Sequence, residues 1–192
     1  GDIFFRDASM VNATTEKQIE MRRHFGYLFQ DSELFDSLTV AENIAFPLVE
    51  GLGERNRDKI RGIVQEKLDW IGLPEVGDKY PAELSGGMRK RVGLARTLAA
   101  QPEVLLFDEP TTGLDPVLAA TINDLITKVN EEFGITCILI THDIQATFRI
   151  SDYIGFLYDG KIQAQGRPDE VSRAEHPILR QFIDNSFNEL KV

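Results

Sequence analysis

The chain has 192 residues, of which 42% are hydrophobic, and a formal net charge of −10. This length and hydrophobic content predict one domain that can bury a core. The excess of acidic residues argues against a general nucleic-acid binder, because phosphate backbones are bound by surfaces rich in Lys and Arg. No apolar stretch is long enough to span a bilayer, so a role at a membrane is expected to come through a partner.

Two short strands are predicted near the start of the chain. They lie at residues 1–6 and 25–29, with a polar connection or short helix at residues 15–23 between them. Gln30 leaves the second strand. Taken alone, a polar residue at a strand exit is most often structural.

The next stretch has helical character. Thr39 is placed to cap a helix that carries Glu42. Residues 51–57 are polar and contain glycine, which indicates a loop, and the apolar positions of residues 60–71 fall on one face of a second helix. Aromatic and aliphatic residues in 31–48 are expected to fill a small helical core.

A glycine-rich turn formed by Ser85, Gly86 and Gly87 opens another helix, with Ser85 as its N-cap. Free amide groups at such a helix start, together with the positive end of the helix dipole, suit a phosphate. An ordinary capped helix has the same sequence pattern. The basic run at 89–91 is expected to lie on a solvated face. The apolar residues at helical spacing are Met88, Val92, Ala95, Leu98 and Ala99.

An acidic pair, Asp108 and Glu109, follows the apolar run at 104–107. Such a run is typical of a parallel strand covered on both faces, and open α/β sheets place ligands outside the carboxyl ends of their strands. Asp108 can hold Mg2+ directly or through water, and Glu109 can polarise an attacking water molecule. Two solvated carboxylates at a strand exit are the alternative.

A further strand, predicted at 135–141, delivers His142 in the same way. His142 is expected to arrive near Glu109, where an imidazole can hydrogen-bond a terminal phosphate oxygen. A lone histidine after a strand is nevertheless usually structural. Cys137 lies within this apolar strand and is expected to be a buried thiol, which fits a reducing cytosol.

The other predicted elements are a long helix, a hairpin and a terminal helix. Asp115 opens the long helix, which is expected to stop at Gly134. A hairpin follows, with strands at 153–158 and 161–164 joined by a tight turn. The stretch after Pro177 has one apolar face, which packs either on the body of the domain or against a second subunit.

The order of these motifs resembles an ATP-binding cassette (ABC) ATPase over nearly the whole chain. The resemblance implies an α/β, P-loop NTPase-like fold with a mostly parallel sheet and an inserted helical subdomain. It places a RecA-like core at 1–30 and 101–170, the helical subdomain at 31–100 and a C-terminal helix at 174–190. It also implies ATP and Mg2+ as ligands.

The same resemblance assigns roles to the loop and turn residues. Gln30 matches the Q-loop glutamine, which senses Mg2+ and the γ-phosphate. The resemblance therefore implies that Gln30 binds both the nucleotide and the metal ion. Ser85, Gly86 and Gly87 match the signature sequence, which closes on ATP bound by the opposite subunit. Met88 stands where the family usually has a glutamine.

Three residues at strand ends and one at a helix start match functional residues of the family. Asp108 corresponds to the Walker B carboxylate that binds Mg2+, and Glu109 to the catalytic base. Asp115 corresponds to the D-loop aspartate. His142 corresponds to the switch histidine, which acts with Glu109 in hydrolysis.

One family motif, the phosphate loop G-x-x-x-x-G-K-S/T, does not occur in the 192 residues. In the family a segment resembling residues 1–6 follows that loop. The chain is therefore expected to be truncated at its N-terminus and not to hydrolyse ATP alone. The alternative is a non-catalytic module that has lost the loop. Retention of Gln30, Glu109 and His142 favours truncation.

The resemblance implies an ATP-hydrolysing subunit of a transporter at the cytoplasmic face of a bacterial inner membrane. Its partners would be a second copy of itself and a transmembrane permease, with no nucleic acid. The resemblance also implies that residues 31–48, besides filling the helical core, form a groove that receives a coupling helix of the permease. The segment 84–96 (LSGGMRKRVGLAR), together with 29–48, is similar to ATPases of MCE-associated (Mla-type) phospholipid-trafficking systems, which implies MCE-type and small accessory subunits. ATPases of amino-acid or lipoprotein transporters are the alternative.

Cassette ATPases acting on DNA or ribosomes usually carry a coiled-coil insertion or two cassettes, and neither pattern is seen. Apolar surface beside 104–107 is expected to be uncovered, which predicts that the 192-residue chain is poorly soluble or marginally stable by itself.

Overall fold

The computed structural model describes residues 1–188, and side chains are described up to residue 186. Residues 189 and 190 of the predicted C-terminal helix lie outside the described residues. The chain divides into two compact units, Gly1–Ile140 and Thr141–Val192. The predicted subdomain boundaries differ from this division and stay a prediction.

The first unit is built on a three-stranded parallel sheet. Its strands are β3 (Phe25–Leu28), β4 (Val104–Asp108) and β5 (Thr136–Ile140), with β4 in the centre. Before them, β1 (Phe4–Phe5) and β2 (Ala8–Ser9) form a short antiparallel ribbon. The predicted α/β fold with a parallel sheet is confirmed.

Five α-helices of the first unit surround this sheet or pack on one another. Their bounds are α1 (Thr15–Arg22), α2 (Val40–Phe46), α3 (Arg57–Trp70), α4 (Gly86–Ala99) and α5 (Pro116–Phe133). A π-helical turn, Pro47–Gly51, extends α2, and a 3-10 turn, Pro81–Glu83, precedes α4. The segment predicted as a loop at 51–57 thus joins this turn to α3.

Two helix starts have the caps expected from the sequence. Thr39 and Glu42 form a reciprocal capping box at α2. Asp115 accepts hydrogen bonds from the first turn of α5, which ends at Gly134 with a φ of 65°. Glycine adopts this left-handed conformation without a side-chain clash, so the stop signal at Gly134 is confirmed.

The helices α2, α3 and α4 share one apolar core. Its buried members are Val40, Ile44, Leu48, Val64, Leu68, Ile71, Val76, Leu84, Val92, Ala95 and Ala99. The opposite side of α4 lies against β3, where a Cβ atom on Gly26 would clash with Thr97 and lie 2.6 Å from Cδ2 of Leu105. Glycine at this position therefore lets α4 approach the sheet closely.

Up to residue 188, the second unit contains a hairpin and three helices. They are α6 (Ile144–Ile150), β6 (Ile154–Tyr158), β7 (Lys161–Gly166), α7 (Pro168–Val171) and α8 (Pro177–Asn188), with β6 and β7 antiparallel. Leu179 of α8 is buried with Ile154 and Val171, so part of the apolar face of this helix packs within its own unit, whereas Phe182 is exposed. Within the described residues, no helix is both long and apolar enough to cross a bilayer.

Two details of the sheet bear on the sequence expectations. Exposed apolar side chains lie beside β4, on its neighbour β5, where Ile138 and Ile140 are 51% and 62% exposed. Cys137, on the same strand, is only partly buried. Its pKa is nevertheless raised to about 11 by burial.

Candidate nucleotide site

The signature turn, Ser85, Gly86 and Gly87, opens α4 as predicted. The hydroxyl of Ser85 accepts a hydrogen bond from the amide of Met88 at 3.3 Å. A Cβ atom on Gly87 would lie 3.2 Å from Cδ1 of Leu118, so this glycine lets α4 approach α5. Ser85 and Gly86 are exposed. Because the first amides of a helix have no acceptor within it, this exposed start is suited to bind an anion.

Asp108 ends the central strand β4 and is partly buried. The hydroxyl of Tyr27, on the neighbouring strand β3, donates a hydrogen bond to Oδ2 of Asp108 at 3.3 Å. Desolvation and the Asp108 charge raise the pKa of Tyr27. Sequence reasoning missed Tyr27, because its proximity to Asp108 depends on strand order rather than on sequence spacing.

Glu109 follows in a tight turn with a left-handed φ of 46°. Its amide donates to the carbonyl of Ile140 at 2.9 Å, which fixes the turn to the end of β5. Its side-chain Oε2 accepts a hydrogen bond from Oγ1 of Thr112 at 3.0 Å. A left-handed non-glycine residue costs about 1–3 kcal/mol, and such strain is concentrated at functional sites.

The basic run at 89–91 does not lie on a solvated face throughout, and the expectation is wrong for Lys90. Only 7% of Lys90 is exposed, and its Nζ donates to the carbonyl of Thr112 at 2.8 Å. Arg91 is partly buried and donates to the carbonyl of Ile71 at 3.1 Å. Both cations donate to backbone carbonyls of neighbouring segments. The order of charges along one helix does not indicate where such acceptors lie, which is why the expectation failed. Burial lowers the pKa of Lys90, and the charges of Asp31 and Glu109 oppose that shift.

Gln30 is exposed in the turn that follows β3. The loop after it contains two left-handed residues, Ser32 with a φ of 65° and Glu33 with a φ of 39°. Arg96 of α4 holds this loop by donating to the carbonyls of Ser32 and Glu33 at 2.8 and 2.7 Å. Its guanidinium also lies 5.9 Å from the ring centre of Phe35.

The helix α4 thus connects three predicted site segments. Its N-terminus forms the signature turn, Lys90 contacts the turn that contains Glu109, and Arg96 contacts the loop after Gln30. One helix therefore contacts all three segments, which lie far apart in the sequence.

Asp115 and His142 are the two other predicted site residues. Asp115 is exposed, and its Oδ1 accepts hydrogen bonds at 3.0 Å from the amides of Val117 and Leu118, so it serves as a helix cap. His142 is exposed and belongs to the second unit. The expected proximity of His142 to Glu109 stays a prediction, because the two residues belong to different units.

The side chains fit part of a magnesium–nucleotide site. No group of three or more His, Cys, Asp or Glu residues within 1–188 is arranged to hold a metal ion. Proteins commonly bind Mg2+ through one or two carboxylates together with phosphate oxygens and water, and the partly buried Asp108 at the strand end suits that mode. The exposed signature turn suits a phosphate. The basic phosphate loop has no counterpart in the sequence.

Comparison with known families identifies the chain. A family model described as "ABC transporter" matches residues 1–112. The chain belongs to the ABC transporter family. The predicted family is confirmed at this level, and the fold is that of an ABC ATPase cassette.

Two similar proteins are named as ATP-binding proteins of transport or import. The "Probable ribonucleotide transport ATP-binding protein mkl" of Mycobacterium leprae is 37% identical over 184 residues, which cover 96% of this chain and 53% of that protein. The "Methionine import ATP-binding protein MetN" of Xanthomonas campestris is 40% identical over 181 residues, covering 94% and 53%. The chain therefore spans about half the length of the curated relatives it matches.

Solved ABC structures share the fold. One is a dimeric ATP-binding cassette in a post-hydrolysis state bound to ADP and Pi, with a TM-score of 0.77, 32% identity and coverage of 88% of this chain and 73% of that one. Another is cbiO1 from Clostridium perfringens, part of the transporter complex cbiONQ, with a TM-score of 0.80, 31% identity and coverage of 97% and 73%. ABC ATPases bind ATP with Mg2+, which agrees with the predicted ligands.

Proposed function

We propose that this protein is the ATP-hydrolysing, nucleotide-binding subunit of an ABC transporter. The contact that carries the proposal is the hydrogen bond from Thr112 to Glu109, which holds a carboxylate in a strained turn beside Asp108. A carboxylate fixed at the carboxyl end of a central parallel strand is suited to orient water at a bound ligand. Membership of the ABC family supports this role.

In this proposal Asp108 and Gln30 bind Mg2+, which neutralises charge on the phosphates when it is bound. Glu109 orients the attacking water, and His142 hydrogen-bonds a terminal phosphate oxygen. Such positioning and charge stabilisation account for most of the catalysis of phosphoryl transfer. The 192-residue chain alone is not expected to hydrolyse ATP, because its sequence has no phosphate loop.

The proposed assembly contains two copies of the ATPase. The signature turn, Ser85, Gly86 and Gly87, would bind the phosphates of ATP held by the second copy, and Asp115 would lie at the same interface. The dimeric state of a similar cassette supports this arrangement. In the proposed division, residues 1–30 and 101–170 are the core, 31–100 the helical subdomain and 174–190 a C-terminal helix.

The proposed second partner is a transmembrane permease, with the ATPase bound at the cytoplasmic face of a bacterial inner membrane. An exposed aromatic pair, Phe35 and Phe46, supports a docking role for residues 31–48. Their ring centres lie 4.6 Å apart, and their exposed fractions are 42% and 38%. Hydrolysis would open the dimer and move this surface through the loop after Gln30.

For the cargo we propose phospholipid trafficking with MCE-type and small accessory subunits, based on the segment 84–96. Import of an amino acid is the second candidate, and the similarity to a methionine import ATPase favours it. The two candidate cargoes can be distinguished by purifying the full-length protein with its membrane partners. Mass spectrometry then identifies the bound lipids and subunits. An MCE-type subunit with phospholipid supports the first, and a soluble amino-acid-binding protein supports the second.

The hydrolytic role is tested with Glu109→Gln in the full-length protein. We expect ATP binding to persist and turnover to be largely lost, because the amide cannot act as a general base. Glu131→Gln, at an exposed position of α5, is the matched control and should hydrolyse ATP like the wild type. Turnover at the wild-type rate in Glu109→Gln would contradict the assignment.

Calorimetry with Mg-ATP addresses the alternative of a non-catalytic module. If the full-length protein binds and the 192-residue chain does not, the ATPase proposal is supported. Binding by neither form would favour the non-catalytic module. Binding by the 192-residue chain would mean that its own residues supply the phosphate contacts.

A further inference from the structure

We infer that Lys90 and Thr112 are positioning residues that hold the carboxylate of Glu109 and link it to the signature turn. This inference rests on the proposed function, because it assigns the two residues to the ATPase site. It adds a connection within one subunit. This connection joins the signature turn, proposed to contact the nucleotide of the second copy, to the turn of Glu109, proposed to orient water.

Thr112 makes three of the contacts that form this connection. Its carbonyl accepts a hydrogen bond from Nζ of Lys90 at 2.8 Å, and its hydroxyl donates to Oε2 of Glu109 at 3.0 Å. Its amide also donates to the carbonyl of Glu109 at 3.2 Å. Thr112 therefore contacts both the side chain and the backbone of Glu109 while it is itself held by α4.

Burial of the Lys90 ammonium group costs free energy, which suggests that its charge has a role. Only 7% of the residue is exposed, and a methionine would fill a similar volume without the desolvation of an ammonium group. The charge is compensated by the Thr112 carbonyl and by the carboxylates of Asp31 and Glu109, which favour its protonated form. Charge on Lys90 thus stabilises the arrangement of acidic groups around the proposed site.

The turn around Glu109 needs such support. Its φ of 46° is a strained conformation for a residue with a side chain, and strain of this kind persists only where surrounding contacts hold it. The amide of Glu109 is fixed by Ile140, and the far end of the turn is fixed by Lys90 through Thr112. Loss of the second anchor should let the carboxylate move without unfolding the strand.

The same contacts provide a path for coupling. Lys90 and the signature turn belong to one helix, so closure of a second copy on Ser85 would bear directly on the Lys90–Thr112 hydrogen bond. Catalytic groups lose rate steeply when they are misplaced, even where binding is preserved. We therefore expect these residues to affect kcat rather than KM.

The test is steady-state ATP hydrolysis by the full-length protein, in its transporter complex where that is required. Lys90→Met and Thr112→Val should lower kcat by roughly 10- to 100-fold and leave KM nearly unchanged. Thr112→Ser keeps the hydroxyl and should restore most of the rate. The double variant should be little slower than the slower single variant, because both changes break one connection.

A second buried lysine supplies the matched control. Lys67 is 4% exposed, its Nζ lies 2.7 Å from Oε1 of Glu66, and it also lies 4.7 Å from the ring centre of Phe133. Lys67→Met should leave kcat unchanged. Thermal denaturation shows whether Lys90→Met is folded. If it is not, the comparison of kcat between Thr112→Val and Thr112→Ser tests the inference.

Two outcomes separate this inference from the proposed function. Loss of turnover in Glu109→Gln, together with a wild-type kcat in Thr112→Val, would overturn the inference and leave the ATPase assignment intact. Equal kcat values in Thr112→Val and Thr112→Ser would also overturn it, because the hydroxyl would then have no role. A wild-type protein without ATPase activity would contradict both proposals.

Discussion

Arg96 and Ser32 join the last turn of α4 to the loop that follows Gln30. Nη2 of Arg96 donates to the carbonyl of Ser32 at 2.8 Å, and Nη1 donates to the next carbonyl, that of Glu33, at 2.7 Å. Both acceptors belong to left-handed residues. One guanidinium therefore holds a strained loop that the sequence marks only by the glutamine at its start.

Replacement of Arg96 should destabilise the protein. Arg96→Met removes two hydrogen bonds from a charged donor, and each such bond contributes about 1.5–3 kcal/mol to the free energy of unfolding. Arg96→Lys should lose part of this stabilisation, because an ammonium group does not reproduce the forked geometry of the guanidinium group. Urea denaturation of the full-length protein measures the change.

Arg61→Met is the control for Arg96. Its guanidinium is 79% exposed and lies 3.5 Å from Asp58, so its loss should change the free energy of unfolding by less than about 0.5 kcal/mol. Equal stability of Arg96→Met and Arg61→Met would show that the loop does not depend on Arg96.

Local features of the fold were predictable because they depend on neighbours in the sequence. The capping box at Thr39, the cap at Ser85 and the stop at Gly134 each follow from residue types a few positions apart. The apolar run at 104–107 likewise indicated a parallel strand, and the structure shows β4 parallel to both of its neighbours.

The contacts around the site were not predictable in the same way. Lys90 and Arg96 look like solvated cations in a helix, yet both donate to backbone carbonyls of segments distant in the chain. Every residue has a carbonyl, so the sequence does not mark which one will accept. Tyr27 reaches Asp108 only because β3 lies beside β4. Such contacts depend on tertiary packing.

Glu54 should make the stability of the protein sensitive to acid. Its carboxylate accepts hydrogen bonds from Nζ of Lys59 at 2.6 Å and from the amides of Asn56 and Arg55 at 2.9 Å each. These contacts, the Lys59 hydrogen bond first, lower its pKa from 4.5 to about 2. A pKa lowered in the folded state stabilises that state above the unfolded pKa, and the contribution is lost as pH falls through the folded value.

Glu54→Gln should therefore be less stable than the wild type at pH 7, with the difference shrinking as pH falls from about 4.5 to about 2. The measurement is the free energy of unfolding in urea at a series of pH values. Glu75→Gln, at an exposed position, is the control for the loss of a surface carboxylate. A constant difference between Glu54→Gln and wild type across this range would contradict the prediction.

Cys137 should react slowly with alkylating reagents while the protein is folded. Burial raises its pKa to about 11, so little of the reactive thiolate is present at pH 8. The thiol also lies 3.7 Å from the carbonyl of Ile135. Mass spectrometry after iodoacetamide treatment should show little modification at pH 8 and rapid modification in urea. Equal rates in the two conditions would show that the side chain is accessible.

Ile138 and Ile140 should limit the solubility of the 192-residue chain. Both side chains are more than half exposed on β5, which is the edge strand of the sheet described for the first unit. Exposed apolar edge strands promote association between chains, and a polar β-branched residue weakens it while preserving strand propensity. Ile138→Thr/Ile140→Thr should therefore raise the soluble fraction and reduce light scattering at equal concentration.

The effect of these substitutions should come from association rather than folding. Exposed positions change the free energy of unfolding by about 0.5 kcal/mol or less, so urea denaturation of the soluble fraction should be nearly unaffected. Val117→Thr removes a similar apolar side chain that is 76% exposed on α5, outside the sheet. It should leave solubility unchanged, because a helix surface offers no unpaired strand edge. An equal gain from Val117→Thr would assign the association to general surface hydrophobicity instead of β5.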